Sequence, residues 1–207
     1  MKTLKYILVL SIYLICISFT IVDPDFKILF VGNSLTYTND LPKLVKKSAA
    51  EKGMAIQVET LAYPNYALID HWKDAKVQKL ISNNNYDLVI VQQGPSSQAY
   101  GRKILLEYGK KFSDLCKLNN CKLGYFMVWP SREYFHTFEG VIKNYREASK
   151  AHAAILFPVG EIWKEHFETT GDFDYYGADQ FHPSKKGSLA AAKVIVNELM
   201  KLKITSE

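Results

Sequence analysis

Five short apolar runs, at 27–31, 56–61, 88–92, 123–129 and 154–157, punctuate the chain and read as β-strands. Between them and after them, apolar positions recur at helical spacing over 41–52, 66–82, 103–116, 138–152, 161–168 and 185–202. The run Leu88-Val89-Ile90-Val91 has no polar position, as in a central strand covered on both faces. In the first helical segment Leu41, Leu44, Val45 and Ala49 form one stripe, with Lys43, Lys46 and Lys47 beside or opposite it. Ser184 is placed to cap the last helix, whose small residues Ala190, Ala191 and Ala192 allow close approach to a sheet. Strict alternation of strand and helix predicts an α/β fold: a five-stranded parallel sheet with helices on both faces. No internal repeat, low-complexity tract or linker interrupts the pattern after residue 26, so 23–207 reads as one domain.

Residues 1–22 differ in kind. Lys2 and Lys5 precede seventeen residues, Tyr6 to Val22, that carry no charge, and Asp23-Pro24-Asp25 follows. That pattern reads as a signal peptide or an uncleaved amino-terminal anchor, with cleavage favoured although small residues occur near its end only as Ser18 and Thr20. Bulky Ile15 argues against lipidation at Cys16. The expected location is therefore periplasmic or extracellular, with membrane association through this segment alone. Net charge is +5 for the whole chain, and the basic residues are interspersed with acidic ones, so no nucleic-acid partner is expected. Cys116 and Cys121 fit either a local disulfide, which an exported location permits, or two free thiols.

Two segments carry candidate chemistry. Gly32-Asn33-Ser34-Leu35-Thr36 follows the first strand, where a side chain emerges at the carboxyl edge of a parallel sheet, and Asp179-Gln180-Phe181-His182-Pro183 lies near the end. A serine hydroxyl becomes a useful nucleophile when an imidazole removes its proton and a carboxylate holds that imidazole in one tautomer. Ser34, His182 and Asp179 fill those roles. Each segment alone also reads as a polar turn; their pairing within a β-α chain favours catalysis. A phosphate-cradling loop is the weaker alternative, since the first segment is glycine-poor and Asp179 and His182 would be left without a role.

The two blocks resemble the Gly-Asp-Ser-Leu and terminal Asp-x-x-His blocks of the SGNH (GDSL) hydrolase superfamily, with Asn33 in place of the commoner Asp. The continuation Tyr37-Thr38-Asn39-Asp40-Leu41-Pro42 looks like a bacterial exported branch. The resemblance spans roughly 27–200 and implies a three-layer α/β/α sandwich of the flavodoxin-like kind and ester hydrolysis through an acyl-serine. It also implies an oxyanion hole from the Ser34 N–H, a Gly N–H after the second strand and an Asn amide after the third. The chain departs at both of the latter positions. Ala62-Tyr63-Pro64-Asn65-Tyr66 contains no glycine, and Asn65 is the residue best suited to the backbone geometry glycine would adopt. The third strand runs into Gln92-Gln93-Gly94-Pro95-Ser96-Ser97, where Ser96 falls at the Asn position and Gln93 is the nearest amide. Asn65, Gln93 and Ser96 are thus the expected substitutes.

Outside these blocks, His71 reads as a packed or surface histidine, and Trp129 as a core aromatic or a sugar-stacking platform. No metal or organic cofactor is expected, as no His/Cys/Asp cluster has ligand spacing. The expected activity is a serine esterase on small-molecule or glycan esters, acetyl among them. The alternative is a non-catalytic module that holds a carbohydrate or acylated ligand in the same cleft. Oligomeric state is not legible in the sequence.

Overall fold

The computed structural model describes residues 23–204. The segment read as a signal peptide or anchor, 1–22, lies outside the described residues. Five strands, β1 (Phe26–Gly32), β2 (Ile56–Ala62), β3 (Leu88–Val91), β4 (Lys122–Phe126) and β5 (Ile155–Phe157), form one sheet in the order β2-β1-β3-β4-β5. Every neighbouring pair is parallel. All four residues of β3 are buried, as a strand covered on both faces requires.

The helices are α1 (Ser34–Tyr37), α2 (Leu41–Glu51), α3 (Leu68–Asp74), α4 (Lys76–Asn83), α5 (Ala99–Leu118), α6 (Phe138–Ala151), α7 (Val159–Thr170) and α8 (Lys185–Ile204). α2 packs against α8, while α3, α5 and α6 pack in succession, giving the α/β/α sandwich. Strand order reverses between β1 and β3, the position where open α/β sheets bind ligands beyond the strands' carboxyl ends. Among the described residues, no helix is long and apolar enough to cross a membrane.

Three departures from the sequence expectations have local causes. The segment 66–82 is two helices, because Ala75 adopts φ +58° and the Gln78 amide caps the Trp72 carbonyl at 2.8 Å. Alanine is the best helix former, so periodicity gives no sign of that break. The first of the two starts at Leu68 because the Asp70 carboxylate takes the Ala67 N–H at 2.9 Å. β4 pairs only to Phe126, yet Met127, Val128 and Trp129 continue it as fully buried chain. Trp129 stacks on Trp163 with ring centroids 3.5 Å apart, which makes it a core residue and removes it as a sugar platform. Cys116 and Cys121 are both buried free thiols.

Gly160, the second residue of α7, sits against the chain that continues β4; a Cβ there would overlap the Val128 carbonyl oxygen. Its N–H donates to Met127 O at 3.1 Å, so neither side of the contact is free to retreat. Gly160→Ala is expected to cost about 1–3 kcal/mol of stability, read as a lowered midpoint in thermal or urea unfolding.

Candidate active site

β1 ends at Gly32, and Asn33 turns the chain into α1. The Asn33 carboxamide works in two directions: Oδ1 accepts the Leu35 N–H at 3.1 Å, capping α1, and Nδ2 donates to Tyr66 O at 3.0 Å in the loop after β2. An aspartate would cap the helix equally well but would have no hydrogen to give Tyr66 O. Ser34 is the first residue of α1 and is half-buried. Its N–H has no acceptor among the described residues, as expected for the first position of a helix.

The second half of the site is a tight loop before α8. Tyr176 and Pro183 form an antiparallel bridge, Gly177 N donates to His182 O at 2.7 Å, and Gln180 takes φ +60° at the loop's tip. Asp179 Oδ1 accepts from Phe181 N at 3.0 Å and from His182 N at 2.9 Å. That fixes the carboxylate, and its other oxygen lies 2.5 Å from His182 Nδ1. His182 Nε2 in turn lies 2.9 Å from Ser34 Oγ. Since the carboxylate is an acceptor only, Nδ1 carries the hydrogen and Nε2 presents its lone pair to the serine hydroxyl.

Three contacts dock this loop on the sheet. Trp129 Nε1 donates to Phe181 O at 3.0 Å, Arg132 N to Gln180 O at 2.9 Å, and Asn39 Nδ2 to Pro183 O at 2.9 Å. Burial by itself would push the Asp179 carboxyl up. The His182 imidazole and the Phe181 and His182 N–H groups outweigh it, and the carboxyl is held below the usual aspartate range.

The residues expected to stabilise an oxyanion separate into two groups. Asn65 adopts φ +61°, the left-handed geometry anticipated for the glycine-less loop, and is exposed. Gln93 is buried; its Oε1 accepts the Leu68 N–H at 2.9 Å, which leaves Nε2 with no acceptor among the described residues. Tyr145 OH donates to the Gln93 carbonyl and fixes the backbone there. Ser96 is a correction. It is 1% exposed, and its hydroxyl donates to Gly94 O at 2.8 Å within its own turn, packed where a Gly101 Cβ would stand. With its one hydrogen committed inside the turn, Ser96 is no oxyanion donor.

The sequence reading missed Gln92, whose Oε1 receives both the Asn33 N–H and the Thr36 hydroxyl at 2.9 Å. The signal was its place at the end of an all-apolar strand beside β1. His71 is packed, as anticipated: it is 1% exposed, with Nε2 2.8 Å from Gly32 O.

On the Phe181 side of His182 opens a cleft of about 610 Å³, bordered by Pro95, Ser97, Pro130, Ser131, Tyr134 and Phe181. Its lining carries hydroxyl, amide and apolar groups and no charged side chain among the described residues. Phe181 packs edge-on against the His182 ring with centroids 5.1 Å apart, so this one residue links the cleft lining to the imidazole. Among the described residues, no group of three His, Cys, Asp or Glu side chains could hold a metal ion.

No family model and no curated protein matches the chain. Solved structures do. A candidate SGNH hydrolase from Slackia heliotrinireducens is similar with a TM-score of 0.73 at 22% identity, over 84% of this chain and 98% of that one. A lipase/acylhydrolase from Enterococcus faecalis gives 0.66 at 19%, over 84% and 95%. A family 3 carbohydrate esterase from Clostridium thermocellum gives 0.66 at 14%, over 87% and 98%. At these identities the likeness is one of fold, and the fold is that of the SGNH hydrolases.

Proposed function

We propose that this chain, whose fold is shared with SGNH hydrolases, lipases and a carbohydrate esterase, is itself a serine esterase. The observation that carries the reading is the continuous hydrogen-bonded line from Asp179 through His182 to Ser34 Oγ at a sheet's switch point. His182 Nε2 takes the serine proton as Oγ attacks the ester carbonyl, and Asp179 stabilises the imidazolium. The imidazolium then gives that proton to the departing alkoxide, leaving an acyl-serine. Water, deprotonated by His182, releases the acid and restores the hydroxyl.

The oxyanion is held by the Ser34 N–H, by Asn65 and by Gln93 Nε2, donors beyond three strand ends that lack an acceptor among the described residues. The uncharged cleft beside His182 supports a neutral alcohol portion in the substrate, with hydroxyls at the rim for Ser97 and Ser131 and apolar faces for Tyr134 and Phe181. Small acyl esters of glycans fit that description. Export through residues 1–22 accords with such a substrate.

The test is labelling of the purified protein by a fluorophosphonate together with hydrolysis of a short-chain aryl-ester series. No labelling and no turnover would refute the esterase and leave ligand binding in the same cleft. For the oxyanion assignment, Gln93→Ala is expected to lower kcat by about 10²- to 10³-fold. Ser96→Ala is expected to stay within a few-fold of the parent, at unfolding midpoints that show both variants folded. Equal losses in the two would overturn the assignment.

A further inference from the structure

The peptide joining Gly32 to Asn33, immediately before the nucleophile, is gripped by one side chain on each side. Its carbonyl oxygen lies 2.8 Å from His71 Nε2 and also accepts the Tyr63 N–H at 3.2 Å, and its N–H donates to Gln92 Oε1 at 2.9 Å. The same Gln92 oxygen accepts the Thr36 hydroxyl, so one amide ties the residue before Ser34 to the second residue after it. Gly32 has no room for a side chain here, since a Cβ would overlap both Thr36 Oγ1 and Gln92 Oε1. The rings of Tyr63 and Tyr66 flank the imidazole at 6.0 and 5.0 Å, and the Tyr66 carbonyl holds the Asn33 amide.

His71 and Gln92 are each 1% exposed, and each buries one polar atom with no partner among the described residues: an acceptor, His71 Nδ1, and a donor, Gln92 Nε2. Buried polar atoms are nearly always satisfied, because desolvating one without compensation is costly. Apolar residues of similar volume would avoid both orphans. What the polar residues add is a fixed orientation for one peptide plane. A carbonyl that accepts at one end of the plane while the N–H donates at the other is also polarised along its length, which strengthens both bonds.

We propose that His71 and Gln92 are positioning residues that clamp the Gly32–Asn33 peptide and thereby aim the Ser34 hydroxyl at His182 and the Ser34 N–H at the oxyanion. The proposal rests on Ser34 acting as the nucleophile. Neither residue touches the substrate; each acts through the backbone that carries Ser34. Burial outweighs the carbonyl contact and the nearby Asp70 and Asp74 carboxylates and lowers the His71 pKa. The ring is therefore neutral, with its hydrogen on Nε2 facing Gly32 O.

The experiment compares His71→Phe, His71→Asn, His71→Gln and Gln92→Met in the full chain. His71→Phe and Gln92→Met are expected to lower kcat, and the fluorophosphonate labelling rate, by about 100-fold with KM little changed, the signature of misplaced reacting groups. His71→Gln, whose amide nitrogen reaches the place of imidazole Nε2, is expected to recover most of the loss; His71→Asn, one carbon shorter, is not. Equal activity in the Gln and Asn variants, or a change in KM alone, overturns the clamp.

A second readout does not depend on turnover. In His71→Phe, which removes the imidazole bond to the Gly32 carbonyl and leaves the Tyr63 N–H on that oxygen, the Asn33 amide is expected to exchange with solvent about tenfold faster while that of Leu29 in β1 is unchanged. If the parent protein proves inactive, the esterase reading falls and amide exchange still decides the clamp. Unchanged exchange at Asn33 refutes it.

Discussion

Ser34→Ala is expected to abolish fluorophosphonate labelling and to reduce ester turnover by about 10⁶-fold, the scale on which serine-hydrolase triads fail when the nucleophile is removed. The variant should fold as the parent does, because nothing structural hangs on Oγ. The cap on α1 comes from Asn33, the turn is tied by Gln92, and among the described residues the Ser34 hydroxyl hydrogen-bonds with His182 alone. Loss of activity with an unchanged unfolding midpoint therefore isolates the chemistry. Whatever turnover survives measures the cleft and the oxyanion donors alone. A binding module would behave differently: Ser34→Ala would leave calorimetric affinity for a non-hydrolysable ester analogue unchanged while the parent protein showed no labelling to lose. Persistent turnover in Ser34→Ala would move the nucleophile elsewhere.

The centre of the sheet was legible because β3 is buried on both faces, which leaves no polar position to blur the pattern, whereas the edge strand β2 carries exposed Gln57, Glu59 and Thr60. Leu88-Val89-Ile90-Val91 appears as written. The candidate triad was legible because Asp179 and His182 lie three residues apart, so one turn brings both to hand. What joins that turn to Ser34, 148 residues away, is strand order, which alternation alone does not give. The candidate oxyanion donors were legible only as types. Asn65 took its left-handed backbone as anticipated, since few residues tolerate that conformation. Ser96 and Gln93 stood three residues apart in one loop with equivalent chemistry, and only the side-chain bonds to Gly94 O and Leu68 N tell them apart. Gln92 and His71 were obscure for a related reason: a polar side chain whose partner is a backbone group of another segment leaves no periodic trace.

Asp179→Asn is expected to lower kcat/KM by about 10⁴-fold near neutral pH, although it changes one oxygen for one nitrogen. The two backbone N–H groups of Phe181 and His182 both point at Asp179 Oδ1, so the carboxamide of the variant must keep its oxygen there. Its NH₂ then occupies the place of Oδ2 and faces His182 Nδ1. Two donors cannot meet, and the imidazole is driven to the other tautomer, with its hydrogen on Nε2 against Ser34 Oγ. In that state His182 can no longer accept the serine proton. The Coulomb contribution is the smaller part, because the Asp179 side chain is 52% exposed and water screens it. In the parent protein the Asp179 carboxyl is held below its ordinary range, so it stays ionised as the pH falls and keeps its acceptor oxygen on His182 Nδ1. In Asp179→Asn, kcat/KM should instead keep climbing at alkaline pH, as hydroxide replaces the disabled base. A variant with parental activity and an unchanged pH profile would show that Asp179 does not set the tautomer of His182.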